Sequence, residues 1–233
     1  LDVVADGDAS ITAIDTLRIG GGVLPVSLTY LRNGNDLQVR SASALDQILV
    51  VGHFTGTGVE RMVFDNGTVW TAADIAANLT NELTEGAGVF TGTAAADIIF
   101  ARGGTDVVRS LGGADFIDGG AGNDSLYGGD GNDSITGAAG ADVLVGDAGD
   151  DTLDGRGDAA RDDMSGGAGA DLYLFGRGSG AHWISDAGAD AAVDVLRLDA
   201  GIAPSDVKLT SGGGYGLLLS IIGTADSLTF SPP

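Results

Sequence analysis

Large apolar residues recur along the middle of the chain every nine residues, each two positions after an aspartate. They are Ile99, Val108, Ile117, Leu126, Ile135, Leu144, Leu153, Met164 and Tyr173, with one eleven-residue step between Leu153 and Met164. Each stands at the centre of a three-residue segment, which predicts a short strand with one inward-facing side chain. Glycines fill the intervening positions, where they permit positive φ and close approach of the backbone. The pattern therefore predicts a strand and a tight turn in every period.

Consecutive strands of such a repeat lie on opposite sheets, so that one full coil takes two periods, or eighteen residues. Neighbouring strands of one sheet are about 4.8 Å apart, and the aspartates therefore stack in two columns. One edge holds Asp97, Asp115, Asp133, Asp151 and Asp171, and the other holds Asp106, Asp124, Asp142 and Asp162. We predict a mainly β fold: a right-handed parallel β-roll of two sheets, flanked by antiparallel β and short-helix capping segments.

Stacked carboxylates require a counter-ion. Two of them about 4.8 Å apart repel by roughly 0.9 kcal/mol at the dielectric constant of water, and by more when partly desolvated. Calcium suits the gaps because it accepts six to eight oxygen ligands, carboxylates and backbone carbonyls among them, in flexible geometry. The predicted sites lie between Asp97/Asp115, Asp115/Asp133, Asp133/Asp151 and Asp151/Asp171 on one edge, and between Asp106/Asp124, Asp124/Asp142 and Asp142/Asp162 on the other.

Several frames are complete copies of one motif, G-G-x-G-x-D-x-U-x, where U is a large apolar residue. They read GGAGNDSLY at 119–127, GGDGNDSIT at 128–136 and GGAGADLYL at 166–174. The chain resembles the RTX family, the haemolysin-type calcium-binding repeats of secreted bacterial proteins. The resemblance implies that the aspartates of both columns and the carbonyls of the turn residues bind the ions. The glycines at the motif positions are Gly104, Gly113, Gly120, Gly122, Gly129, Gly131, Gly140, Gly149, Gly167 and Gly169.

The frames differ in how closely they match the motif, which limits the expected number of ions. The frame at 92–100 lacks the glycines at its second and fourth positions, and Ser110 and Leu111 fill the first two positions of the frame at 110–118. The frame at 155–165, GRGDAARDDMS, carries two extra residues, which we interpret as a looped-out turn near Asp158 to Arg161. The insertion is expected to weaken the site that uses Asp162. We expect about five calcium ions, fewer than the seven pairs.

Composition supports an acidic, metal-dependent chain. Its 33 acidic and 11 basic residues give a formal charge of −22, and the acids are aspartate except for Glu60, Glu82 and Glu85. The shorter carboxylate reaches a metal from its own turn and loses less rotamer entropy on binding. This charge argues against nucleic acid and anionic membranes as partners, and no run of apolar residues is long enough for membrane insertion. With no cysteine, calcium is the plausible substitute for disulfides.

The two flanks resemble each other. DTLRIGGGV at 15–23 and DVLRLDAGI at 194–202 are each followed by a proline, an apolar stretch, a glycine-containing turn and another strand. This repetition suggests one long unit and the start of the next. We also predict a hairpin at Asn66-Gly67, and a capping box of Thr71 and Asp74 that opens a helix over 72–83. The N-terminal flank is similar to the haemolysin-type calcium-binding related domain.

We divide the chain into a β-rich flanking domain (1–87), the RTX β-roll (88–178) and a C-terminal β capping segment (179–233). The flanks are expected to cover the end coils, whose strand edges would otherwise be open. Near the end of the roll, His182 and Trp183 stand where an aspartate and a small residue are expected. We interpret Trp183 as an apolar lid on the last coil, with a binding-site aromatic as the alternative.

No catalytic motif is present: the zincin, nucleophile-elbow, Walker A and dinucleotide-binding patterns are all missing. We therefore expect no enzyme, but a secreted calcium-binding module that folds outside the cell and serves as a spacer or assists secretion. In the family, export usually follows a type I route. The alternatives are an adhesin or surface-layer ligand-binding module at the cell surface, or the noncatalytic part of a larger toxin or hydrolase. Exposure of His53, Phe54 and Trp70 would favour the adhesin. Neighbouring repeats of the parent protein or a surface ligand are the possible partners besides calcium.

Overall fold

A computed structural model describes residues 2–5, 16–19, 28–33, 36–41, 47–51, 61–64, 66–77, 79–83, 85–185, 192–211 and 216–231. The chain forms two compact units, Leu1–Glu82 and Leu83–Pro233. The segment predicted as a C-terminal cap, 179–233, falls in the second unit together with the repeats. No helix among the described residues is long and apolar enough to cross a bilayer.

The first unit is built on two sheets. Its elements are β1 (Asp2–Ala5), β2 (Thr16–Ile19), β3 (Leu28–Asn33), β4 (Asp36–Ser41), β5 (Gln47–Val51), β6 (Arg61–Phe64), β7 (Val69–Thr71), α1 (Ala72–Ala77) and β8 (Leu79–Glu82). Strands β3, β4 and β5 run antiparallel, with β1 parallel to β5 and β8 parallel to β3. A smaller sheet has the order β2-β6-β7. Buried residues include Leu37 and Val39 on one face of β4, and Met62 and Phe64 on one face of β6.

Local sequence signals explain how β6, β7 and α1 connect. The predicted hairpin is confirmed: Gly67 adopts φ 86°, and its N–H donates to the Phe64 carbonyl at 2.9 Å. The capping box is also confirmed, because the Thr71 N–H donates to Asp74 Oδ2 at 2.8 Å and the Asp74 N–H donates to Thr71 Oγ1 at 3.3 Å. The predicted helix is too long. It ends at Ala77, and β8 begins at Leu79 in a Thr- and Asn-containing segment of low helix propensity that pairs with β3.

The second unit contains the repeats, with one strand per period. Its strands are β9 (Val89–Thr91), β10 (Ile98–Phe100), β11 (Val107–Arg109), β12 (Phe116–Asp118), β13 (Ser125–Asp130), β14 (Ser134–Thr136), β15 (Val143–Ala148), β16 (Thr152–Asp154), β17 (Asp163–Ala168), β18 (Leu172–Phe175), β19 (Ala181–Ile184), β20 (Val195–Leu198), β21 (Val207–Ser211), β22 (Leu217–Ile221) and β23 (Ser227–Phe230). Even-numbered strands β10 to β20 form one parallel sheet, and odd-numbered strands β9 to β19 form the other. The predicted parallel two-sheet solenoid is thus confirmed.

The strand register reproduces the eighteen-residue coil. Ile99 pairs with Ile117, and Ile117 with Ile135, while Val108 pairs with Leu126 on the opposite sheet. All nine apolar residues of the repeat are buried, with at most 3% of any of them exposed. They form one core between the two sheets. One inward side chain per strand is enough because the core is only one side chain deep on each sheet.

The C-terminal strands extend the same core. Strand β23 pairs parallel with β19, and β22 and β21 follow in antiparallel order. Leu219, Ile221 and Leu228 are buried in the cluster that contains the repeat residues. Strands β21, β22 and β23 repeat the antiparallel succession of β3, β4 and β5, in agreement with the similarity of the two flanks in sequence.

Candidate metal centre

The aspartates form two hydrogen-bonded columns. Seven of the nine donate their backbone N–H to the Oδ1 atom of the column aspartate one coil further on, at 2.7–2.9 Å. One column runs through Asp97, Asp115, Asp133, Asp151 and Asp171, and the other through Asp106, Asp124, Asp142 and Asp162. The structure therefore brings together every aspartate that the sequence assigned to each edge. The hydrogen bond also fixes the orientation of the accepting aspartate side chain, since its Oδ1 atom has one defined donor.

Both columns continue for one residue beyond the repeats. The Asp171 N–H donates to Asp194 Oδ1 at 3.0 Å, and the Asp162 N–H donates to His182 Nδ1 at 3.2 Å. Sequence reasoning missed Asp194 as a column member. Its signal was present, because Asp194 precedes the apolar Leu196 by two positions, as in the repeats. Asp194 was not predicted as a column member because the residues before it do not match the glycine pattern.

The second carboxylate oxygens are buried and lack a protein donor. Oδ2 has no hydrogen-bond partner in Asp106, Asp124, Asp133, Asp142 and Asp151. These residues are at most 3% exposed. A buried, unpaired carboxylate oxygen is costly, so a row of them requires a cation or protons.

Burial raises the pKa values of these carboxyls. Desolvation is the main cause, and the negative charge of neighbouring aspartates adds to it. The pKa reaches about 6 for Asp133 and Asp142 and about 7 for Asp151 and Asp162. The columns thus hold their negative charge poorly unless a positive charge is supplied.

In several frames the first-position glycine leaves space beside the second carboxylate oxygen. A Cβ atom at Gly119 would lie 2.8 Å from Asp124 Oδ2 and 2.9 Å from the Gly137 carbonyl oxygen. At Gly137 it would lie 2.5 Å from Asp142 Oδ2, and at Gly128 it would overlap Asp133 Oδ2. At Gly119, Gly128 and Gly146, a carboxylate oxygen and a carbonyl oxygen therefore border one small space. Sequence reasoning had not assigned these first-position glycines to the site.

The turn glycines of the predicted ligand set have the backbone shape that stacks carbonyls between coils. At the fourth position, Gly104, Gly113, Gly122, Gly131, Gly140, Gly149 and Gly169 adopt φ of 115–136°. A Cβ atom at Gly122 would overlap the Gly104 carbonyl oxygen one coil below. At the second position, Gly120, Gly129 and Gly167 adopt φ of 86–105°. The turns thus place carbonyl oxygens close to the next coil along both columns.

The donor set fits a hard cation. Carboxylate and carbonyl oxygens are the ligands that calcium prefers, and the chain has no cysteine. In the part of the chain that the structure describes, no three His, Cys, Asp or Glu side chains converge as a metal cluster. A cation between two aspartates would therefore need backbone carbonyls to complete its coordination.

The frames that depart from the motif also depart in structure. The Thr93 N–H donates to Asp97 Oδ2 at 2.8 Å, and Thr93 Oγ1 donates to the same atom at 3.1 Å. Protein donors therefore satisfy this oxygen, in the frame that lacks the glycines at its second and fourth positions. Ser110 is fully buried, and its hydroxyl contacts the Gly128 carbonyl oxygen. That carbonyl thus has a protein donor already.

The aromatic residues near the end of the roll do not lie as predicted. His182 is the buried residue, in edge contact with Phe175, whereas Trp183 is on the outer face of β19. Trp183 is therefore no lid, because strand alternation turns it away from the core. It borders a cavity of about 280 Å³ together with Val143, Val145 and Ser165. Its ring lies 5.0 Å from the Arg161 guanidinium carbon.

The aromatic residues whose exposure would favour an adhesin are His53, Phe54 and Trp70. Trp70 is half-buried and packs against Tyr30 and Phe64, with ring centroids 4.8 and 5.7 Å away. His53 and Phe54 lie outside the described residues.

Comparison with protein families agrees with this geometry. Residues 84–117, 110–144, 127–159 and 136–173 match the RTX calcium-binding nonapeptide repeat in four copies. Residues 34–74 match the haemolysin-type calcium binding protein related domain. No curated protein matches the chain. RTX repeats bind calcium and are typical of secreted bacterial proteins. The chain therefore carries a block of RTX calcium-binding nonapeptide repeats, preceded by a segment of the haemolysin-type calcium binding protein related domain.

Proposed function

We propose that the chain is a calcium-dependent folding module of a secreted protein. The observation that carries the proposal is the row of buried, unpartnered Oδ2 atoms beside carbonyl oxygens. In the folded state these atoms would repel each other, and in the unfolded chain they would be hydrated. A cation that binds only the folded arrangement therefore supplies free energy of folding.

The predicted ligands are the nine column aspartates and the motif glycines named above. About five ions would occupy the gaps, with the Asp97/Asp115 gap the weakest because Thr93 satisfies Asp97 Oδ2. The chain would stay unfolded at low calcium, as passage through an export channel requires. It would fold outside the cell, where extracellular modules bind calcium at roughly 10⁻⁴–10⁻³ M. Residues 88–178 would then act as a stiff spacer, with the C-terminal segment 179–233 as a cap.

Circular dichroism during a calcium titration tests the proposal, with magnesium as the control ion. The β signal of the whole chain should be weak in excess chelator, rise with calcium, and rise much less with magnesium. Magnesium is expected to fail because it demands near-ideal octahedral geometry and gives up its water reluctantly. Isothermal titration calorimetry should count about five ions. A full β signal in chelator would show that folding does not depend on calcium.

A ligand-binding role on the cell surface has less support. The Trp70 ring is engaged with Tyr30 and Phe64, and the Trp183 ring with Arg161. The spacer role is therefore the function that the described residues favour.

A further inference from the structure

The C-terminal strands repeat the four-stranded sheet of the first unit, including its register. In the first unit β1 pairs parallel with β5, and β4 and β3 follow in antiparallel order. In the second unit β19 pairs parallel with β23, and β22 and β21 follow in the same way. Asp2 pairs with Ile48 in the first unit. The residues 179 positions later, Ala181 and Ser227, pair in the second. The two sheets can therefore be compared position by position.

Equivalent apolar positions of the two sheets differ in burial. Tyr30 and Leu209 are the third residues of β3 and β21. Tyr30 is 3% exposed, whereas Leu209 is 59% exposed. Leu37 in β4 and Leu217 in β22 are also equivalent, because each pairs with the residue two positions after these. Leu37 is fully buried, whereas Leu217 is 43% exposed. The face that is covered in the first unit is therefore open in the second.

The first unit shows what covers this face. Strands β6, β7 and β8 and helix α1 occupy residues 61–82, which we call the covering segment. Strand β6 pairs parallel with β2, and β8 pairs parallel with β3. The Trp70 ring lies 4.8 Å from the Tyr30 ring, and Met62 and Ile75 are fully buried. The covering segment thus extends two strand edges and also packs on the apolar face.

The second unit has the same two strand edges without a covering segment. Strands β20 and β21 are the counterparts of β2 and β3, and VLRL in β20 matches TLRI in β2. Among the described residues, β20 and β21 are each the last strand of their sheet. Open strand edges beside apolar surface are suited to pairing with another segment. The large apolar residues in and beside these strands that are 43–74% exposed are Val193, Val195, Leu209, Leu217 and Ile222.

We propose that the face formed by β20, β21 and β22 binds a second copy of the covering segment, supplied by another RTX unit in sequence with this one. The chain's own copy already pairs with β2 and β3, so the occupant is a second one. In the incoming copy, β6 would pair with β20, β8 would pair with β21, and the tryptophan would pack on Leu209. The C-terminal cap of one roll would then also join it to the next unit.

Extending the full chain by a second covering segment tests this proposal. Residues 52–82 are repeated directly after Phe230, which keeps the spacing between β5 and β6 because Val51 and Phe230 are equivalent strand ends. The chain has no cysteine, so Leu209→Cys introduces a single thiol. We expect a maleimide to label this thiol at least about tenfold more slowly in the extended chain, since a buried group reacts only when its surroundings open. Labelling is measured at saturating calcium.

Two controls separate specific covering from the mere presence of a longer chain. Val143→Cys places the thiol at an exposed position of β15, away from the proposed face, and its labelling rate should agree within about twofold between the two chains. A second extended chain has the added copies of Phe64 and Trp70 replaced by serine. It keeps the length but loses the aromatic contacts, so the thiol of Leu209→Cys should react as fast as without the extension.

Two results would overturn the proposal. One is an equal labelling rate of Leu209→Cys with and without the intact extension. The other is equal slowing by the intact and the serine-containing extensions, because an unspecific tail would then explain the protection. Circular dichroism at saturating calcium checks that each variant folds. If Leu209→Cys does not fold, Leu217→Cys on the same face decides, with the same slowing expected. A β signal that is full in chelator would contradict calcium-dependent folding and leave this comparison unchanged.

Discussion

At the scale of single residues, two glycine positions of the repeat make different demands on the backbone. The fourth position adopts φ of 115–136° and is glycine wherever this conformation occurs. The second position adopts φ of 68–105° and accepts Arg102, Leu111, Ala138 and Asp147 as well as glycine. The second conformation is the left-handed region, which side chains enter at a cost of about 1–2 kcal/mol. The conformation of the fourth position is closed to residues that carry a side chain.

Substitutions at these two positions should have opposite effects. Gly131→Ala should destabilise the calcium-loaded protein by several kcal/mol, about 3 or more, since its Cβ would overlap the Gly113 carbonyl oxygen. Ala138→Gly relieves a positive φ of 68° and should stabilise it by about 1 kcal/mol. Urea denaturation at saturating calcium gives both free energies of unfolding. Equal effects of the two changes would contradict the distinction between the positions.

At the scale of the strands, the repeat contributes one inward and two outward side chains per element. Ile135 is fully buried in β14, whereas Val143 in β15 is 37% exposed. The inward residues of neighbouring coils pair directly, as Ile117 does with Ile135 and Ile135 with Leu153. A shortened side chain in this ladder leaves a cavity that the two adjacent coils cannot fill.

We expect Ile135→Ala to lower the free energy of unfolding by about 2–4 kcal/mol, and Val143→Ala by less than about 1 kcal/mol. The comparison is matched because both are β-branched residues on parallel strands of the same roll. Thermal unfolding at fixed, saturating calcium measures both. Comparable losses would mean that the core between the sheets does not carry the stability of the roll.

The elements also show what a sequence can predict. The spacing of Asp124, Leu126 and their counterparts was sufficient to predict the strands, the eighteen-residue coil, the ladder of inward apolar side chains and the two aspartate columns. Each of these features depends only on the period of the repeat. The place of Asp194 at the end of its column was not predicted, because the residues before it do not match the glycine pattern and its hydrogen bond comes from a residue 23 positions earlier. The predicted length of helix α1 was too great because β8, which follows the helix, pairs with β3 in a long-range contact.

At the scale of the whole molecule, the chain carries a formal charge of −22, and the fold buries the nine column aspartates. The raised pKa values make the stability of the calcium-free fold depend on pH. Protonated carboxyls in the columns stabilise the fold fully below their unfolded pKa near 3.8. This contribution is lost as pH rises through the folded values of about 6 to 7.

Calcium-stripped protein should therefore show more β structure at a pH of about 5 than at a pH of about 8. Asp142→Asn should reduce this pH dependence, since it removes a carboxyl whose pKa is about 6. Asp118→Asn, at a partly exposed strand end, should leave it unchanged. Circular dichroism across the pH range makes the measurement. A β signal independent of pH in metal-free protein would refute the assignment of these groups.

The hydrogen bond from one aspartate to the next has a consequence for the shape of the calcium response. Each internal carboxylate borders two gaps, so an ion on one side orients a ligand that the following ion also uses. Occupancy would then spread from gap to gap as in a zipper, and partly filled molecules would be rare. Such a chain behaves as a threshold detector of calcium and not as a reservoir that releases it gradually.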